Sequence, residues 1–214
     1  MSKSLRNYPD PMNVFDTYGA DAMRWYLLSS PILRGGDFSV TEVGMRDTVR
    51  QVLLPLWNSY YFLSLYANAE GKTGSVRTDS KNVLDQYVLS KLADTIDSVT
   101  ASMDSYDLFA ACQTIRTFLD VLTNWYIRRS RRRFWRSADT DEARRDKASA
   151  YATLYEVLTS FSKVLAPVMR QAPEELFGGD ARLEMRCPRC ASRHVITRET
   201  LEAFVAGDGT APAA

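Results

Sequence analysis

Apolar residues recur three and four apart along four long stretches of the chain. The first, from Asp47, carries Val49, Val52, Leu53, Leu56, Tyr60 and Leu63, the spacing of one helix face. Pro55 falls near its middle, where a helix kinks. The stripe stops before Gly71-Lys72-Thr73-Gly74-Ser75, a flexible link by composition. A second stripe runs Leu84, Val88, Leu92, Ile96, Val99 and Met103. The third takes in Leu108, Ala111, Ile115, Phe118, Leu119, Leu122 and Tyr126, with Asp107 placed to cap its start. After the polar run Ser137 to Asp141 comes the fourth, with Tyr151, Leu154, Leu158, Phe161 and Leu165. Four amphipathic helices joined by short links predict a mainly α chain, an antiparallel helical bundle over residues 46–170.

The flanks break this pattern. Residues 1–45 open on a short polar loop, and Asn7, Pro9, Asp10 and Pro11 mark turns that a helix does not cross. A compact helix is expected from about Asp16, with Ala20, Met23, Trp25, Leu27 and Leu28, then a turn around Pro31 and Gly35-Gly36. Beyond Pro167, Leu183, Met185, Val195 and Ile196 flank Cys187-Pro188-Arg189-Cys190. That order predicts a small zinc-ribbon-like β-hairpin followed by a helix over residues 171–207. Residues 208–214 read as a disordered end.

Charge narrows the possible partners. Lysine and arginine total 27 against 26 acidic residues, so any affinity for nucleic acid must come from a local patch. Asn124 to Arg136 is such a patch: Arg128, Arg129, Arg131, Arg132, Arg133 and Arg136 fall among Trp125, Tyr126, Phe134 and Trp135. Cations suit the C-terminal pole of a helix, but one turn needs only one or two of them. Helical spacing sets Trp125, Arg128, Arg129, Arg132 and Arg136 along one face. Such a face can stack on unpaired bases and bind phosphates, as proteins do on single-stranded RNA. Its bland counterpart is a solvated charged face with Trp125 and Tyr126 tucked into the core.

Other chemistry is sparse. Asp94, Asp97, Asp104 and Asp107 alternate with a core stripe and read as a solvated face, so the bundle offers no catalytic constellation. Cys112 falls on an apolar face and reads as core. Cys187 and Cys190 supply at most half of a zinc site, with His194 either a third ligand or an ordinary surface histidine. Without metal they are thiols or a labile disulfide. Lys3 between Ser2 and Ser4 is either a phosphate clamp or part of a frayed terminus. No apolar run reaches the length of a membrane span and no signal peptide is evident, which points to the cytoplasm.

MSKSLRNYPDP followed by GADAMRWYLLSSP resembles the KMSKS loop of class I aminoacyl-tRNA synthetases and the segment after it. The resemblance continues through VRQVLLPLWNSYYFLSLYAN, NWYIRRSRRRFW and YATLYEVLTSFSKVLAP, over residues 1–167, and is strongest to the isoleucyl-tRNA synthetases of eukaryote-like type. The NYPDP after the loop and the NWYIRRSRRRFW run favour isoleucine over valine or leucine. The resemblance implies that Lys3, shaped by Ser2 and Ser4, meets the phosphates of ATP with its Mg2+. It implies also that the bundle is a class Ia anticodon-binding domain, with Trp125, Arg128, Arg129 and Arg132 approaching tRNA(Ile). The family's HIGH-containing nucleotide-binding fold would lie upstream, and with His194 the single histidine that motif is not within this chain. The chain alone is then expected not to activate an amino acid and to need that N-terminal catalytic domain as partner. Residues 172–207 resemble the zinc-binding end of bacterial redox-switched heat-shock chaperones, although the earlier cysteine pair of such a site is missing. A thiol- or zinc-switched chaperone-like module is therefore the alternative function, and two gene fragments joined between residues 167 and 175 the simplest origin.

Overall fold

The computed structural model describes residues 10–70 and 79–169, together with the backbone of residues 182–186 and 193–197. The chain divides into two units, Met1–Met169 and Arg170–Ala214.

The first unit begins with α1 (Pro11–Tyr18) and α2 (Ala20–Leu28). The helix starts at Pro11 and not near Asp16. Asp10 accepts the Met12 N–H at 2.8 Å, and proline is tolerated in a first turn, where its missing N–H would have no helical partner. Gly19, at φ 82 and ψ 160, then separates the two helices, a conformation open chiefly to glycine. A 3-10 turn (Pro31–Arg34) follows.

Next comes a continuous rod: α3 (Glu42–Thr48), a wide π turn (Val49–Leu53) and α4 (Leu54–Glu70). Thr41 caps it by accepting the Gly44 N–H at 3.2 Å, so the helix begins before Asp47 and also buries Met45 and Thr48. At the expected kink, Pro55 has no N–H for the carbonyl of Gln51, and the strain is taken up one turn earlier as a π turn closed by the Leu54 N–H on the Val49 carbonyl.

Asn82 caps α5 (Val83–Asp104), Asp107 caps α6 (Leu108–Asp120) as expected, and Thr140 caps α8 (Asp141–Leu165). Between them a second π turn (Val121–Ile127) joins α6 to α7 (Arg128–Trp135), with helical φ and ψ at both joins. α5 packs on α6 and on α8, and α4 packs on α8. All five expected residues of the fourth stripe are buried, against Phe62 and Leu63 of α4 and Ile115, Phe118, Leu122 and Phe134 of the basic rod that α6, the second π turn and α7 form. Phe134 meets Phe62 edge-on with centroids 5.0 Å apart. Cys112 lies in this core as expected, and burial pushes its thiol up to about 11. Asp94, Asp97 and Asp104 are exposed.

In the second unit β1 (Arg182–Arg186) pairs antiparallel with β2 (Arg193–Thr197), Met185 opposite His194. The expected hairpin strands are therefore present. The helix expected from Thr197, the cysteine knuckle and the tail end lie outside the described residues.

Candidate nucleic-acid interface

The basic rod sorts its six arginines by direction. Its inward stripe continues from Leu122 and Tyr126 to Ser130, Arg133 and Phe134, all buried. Arg133 is therefore a core residue. Its guanidinium forks onto fully buried Asp85, Nη1 donating to Oδ1 at 2.6 Å and Nη2 to Oδ2 at 2.9 Å, and Nη2 also reaches the Asp146 carboxylate at 2.8 Å. Asp85 further accepts the Tyr126 hydroxyl at 2.8 Å, Ser80 at 2.7 Å and Ser149 at 3.2 Å. Five donors on one carboxylate satisfy a charge that burial alone would make costly. Burial disfavours ionisation of Asp85, yet the hydrogen bonds of Arg133 and Ser80 and the Arg133 charge outweigh it and hold the carboxyl below its ordinary value.

Arg136 faces the same way in part. Its Nη2 donates to Asp146 at 2.8 Å, and its side chain is 40% exposed. This corrects the expectation that Arg136 stands with the outward arginines: it helps to close the bundle against α8. The last turn of α7 carries Arg132 and Arg133, and a cation from another helix joins them there. Lys147 of α8, nearly buried and ion-paired to Glu70, donates to the Arg136 carbonyl at 3.1 Å, placing an ammonium at the negative pole.

Arg128, Arg129, Arg131 and Arg132 remain on the surface. Among the described residues none of them has a carboxylate partner. Trp125 is half-buried, its ring 4.5 Å from that of Tyr87 on α5, with the Arg129 guanidinium 5.8 Å above it. Trp135, named in the basic patch but left off its predicted face, is 51% exposed, three and four residues past Arg132 and Arg131 and so beside them. Lying one position past the buried Phe134 stripe is the signal that could have marked it. Tyr87 and the Asp85 anchor were missed because their partners lie on another helix. Lys3, Ser2, Ser4, Cys187 and Cys190 fall outside the described residues. Among the described residues no three metal-ligating side chains gather.

Acid should reveal the Asp85 anchor. A carboxyl depressed in the fold contributes stability that is complete above its unfolded value, near about 4, and is lost as pH falls through the folded one. The urea midpoint is expected to drop below about pH 4, and Asp85→Asn, less stable throughout, should flatten part of that drop. An identical acid slope in both proteins would exclude the anchor as its source.

Comparison with known proteins places this geometry. Residues 85–194 match the family model described as the anticodon-binding domain of tRNA ligase, and residues 1–39 match that of class I tRNA synthetases (I, L, M and V). The first match runs past Pro167 and across the cysteine pair, so the chaperone-like alternative is not supported. The chain is 52% identical over 177 residues to an isoleucine–tRNA ligase of Leifsonia xyli subsp. xyli, covering 83% of this chain and 16% of the relative. It is 52% identical over 182 residues to that of Mycobacterium tuberculosis, covering 85% and 16%. It thus spans about one sixth of these relatives' length. The fold is similar to the crystal structure of Mycobacterium tuberculosis methionyl-tRNA synthetase bound by methionyl-adenylate, with TM-score 0.65, 20% identity and coverage of 80% of this chain and 34% of that one.

Proposed function

The chain belongs to the anticodon-binding domain family of tRNA ligases, and from that membership we propose that it is a segment of an isoleucine–tRNA ligase whose bundle binds the anticodon region of tRNA(Ile). The observation that carries the proposal is the row of outward arginines, 128, 129, 131 and 132, running between two tryptophans on a bundle of that family. Guanidinium groups without carboxylate partners suit phosphates, and indole faces suit unpaired bases.

The parent reaction on this reading is ATP-dependent attachment of isoleucine to tRNA(Ile), by a class of ligase that uses ATP. Lys3, with Ser2 and Ser4, would stabilise the ATP phosphates and their Mg2+ as pyrophosphate leaves. The catalytic fold would come from an N-terminal domain of the parent, in the cytoplasm, and no helix among the described residues is long and apolar enough to cross a membrane. Zinc at Cys187 and Cys190 belongs to the same proposal, supported by their place in the connection between two paired strands. Two thiolates are half of the four ligands a structural zinc needs, so no step is built on the metal.

The chain titrated with tRNA(Ile), and with a copy altered in its anticodon, across a salt series should bind the first more tightly, weaken steeply with salt and charge neither. Equal affinity for both RNAs at every salt concentration would remove the anticodon reading.

A further inference from the structure

Asp85 and Tyr87 lie two residues apart on the first turns of α5 and point to opposite sides. Asp85 is locked inward by Arg133, Tyr126, Ser80 and Ser149. Tyr87, 40% exposed, lies off the inward stripe of Val88, Leu92, Thr95 and Val99. Its ring packs at 50° against Trp125 with centroids 4.5 Å apart. A cation stands at each end of the pair: Arg129 lies 5.8 Å from the Trp125 ring and Lys91 lies 6.0 Å from the Tyr87 ring. Lys91 also pairs with Asp94 at 3.2 Å, but both side chains are exposed, and such a pair is easily exchanged for another anion.

The sequence Lys91, Tyr87, Trp125, Arg129 therefore extends the arginine row from α7 onto α5. We propose that Tyr87 and Trp125 form a stacking platform for one unpaired nucleobase of the bound RNA, with Lys91 and Arg129 taking the phosphates on either side. This rests on the RNA-binding reading above and adds a second helix to its surface. Every base has a π face to lay on such a ring, and flanking cations hold the backbone that carries it. The anchor at Asp85 fixes the platform before the RNA arrives, so little side-chain freedom remains to be lost on binding. A tyrosine needed only to cover Trp125 could be replaced by an aliphatic side chain of similar reach, which separates packing from stacking.

The test uses the whole chain and an RNA hairpin reproducing the anticodon arm of isoleucine tRNA, with 2-aminopurine placed at each loop position in turn. Wild type and Tyr87→Phe should quench one loop position and bind alike. Tyr87→Leu should lose that quenching and bind about tenfold more weakly, with the dependence on salt unchanged because no charge was removed. Far-UV circular dichroism confirms that the variants keep the bundle. If Tyr87→Leu quenches and binds as wild type does, or Tyr87→Phe loses as much as Tyr87→Leu, the platform is overturned while the RNA reading stands. If wild type binds neither this hairpin nor the whole tRNA, the RNA reading itself falls.

Discussion

Arg133→Met is expected to destabilise the bundle by about 3–5 kcal/mol, the usual cost of leaving a buried charge without its partner. Arg132→Met, one residue earlier in an unbroken arginine run, should stay within about 0.5 kcal/mol of wild type. The difference follows from direction alone. Arg133 is 7% exposed and closes a fork on Asp85, whose own exposure is 0%. Arg132 lies on the surface. Removing the fork strands the carboxylate and also frees the Asp146 contact that ties the rod to α8. Urea denaturation followed by circular dichroism reads both variants: a lower midpoint at unchanged slope for the first, and none for the second. Combining Arg133→Met with Asp85→Leu should recover part of the loss, because no charge is then left unpaired. Equal midpoints for the two single variants would show that the inner ion pair does not hold the rod.

The helices, most of their core faces and the Asp107 cap could be read from the chain, because caps and stripes are local signals. The π turn at Val121–Ile127 was legible only in hindsight. Leu122, Tyr126, Ser130 and Phe134 repeat every four residues, and in an α-helix that repeat drifts by about 120° over three steps. One residue absorbed by a wide turn cancels most of the drift, which is why the stripe stays inward. Arg133 could not be separated from its neighbours by sequence, since its partner Asp85 lies 48 residues away on another helix. Without that pairing the six arginines look equivalent, so helical spacing alone groups Arg136 with the outward ones and leaves Trp135 and Tyr87 out. Pro11 is a different case, a local signal with two meanings: a breaker inside a helix is a good first residue when Asp10 stands before it.

Replacing Arg128, Arg129, Arg131 and Arg132 together by glutamine is expected to weaken binding of the anticodon arm by roughly a hundredfold or more near physiological salt. The diagnostic is the slope of log affinity against log salt. Each phosphate contact contributes about 0.7 to 0.9 of that slope, through the counterions it releases, so losing three or four contacts should cut the slope by about two to four. Stability should hardly change, because among the described residues these side chains have no carboxylate partner to lose. Arg136→Gln provides the internal control. Its guanidinium is already engaged by Asp146 at 2.8 Å, so it should alter the salt slope little and the urea midpoint more. The opposite pattern, an unchanged slope in the fourfold variant and a lowered one in Arg136→Gln, would move the phosphate contacts away from the outward row. The bundle's fold would stand in that case, but the division of the arginines into inner braces and outer ligands would not.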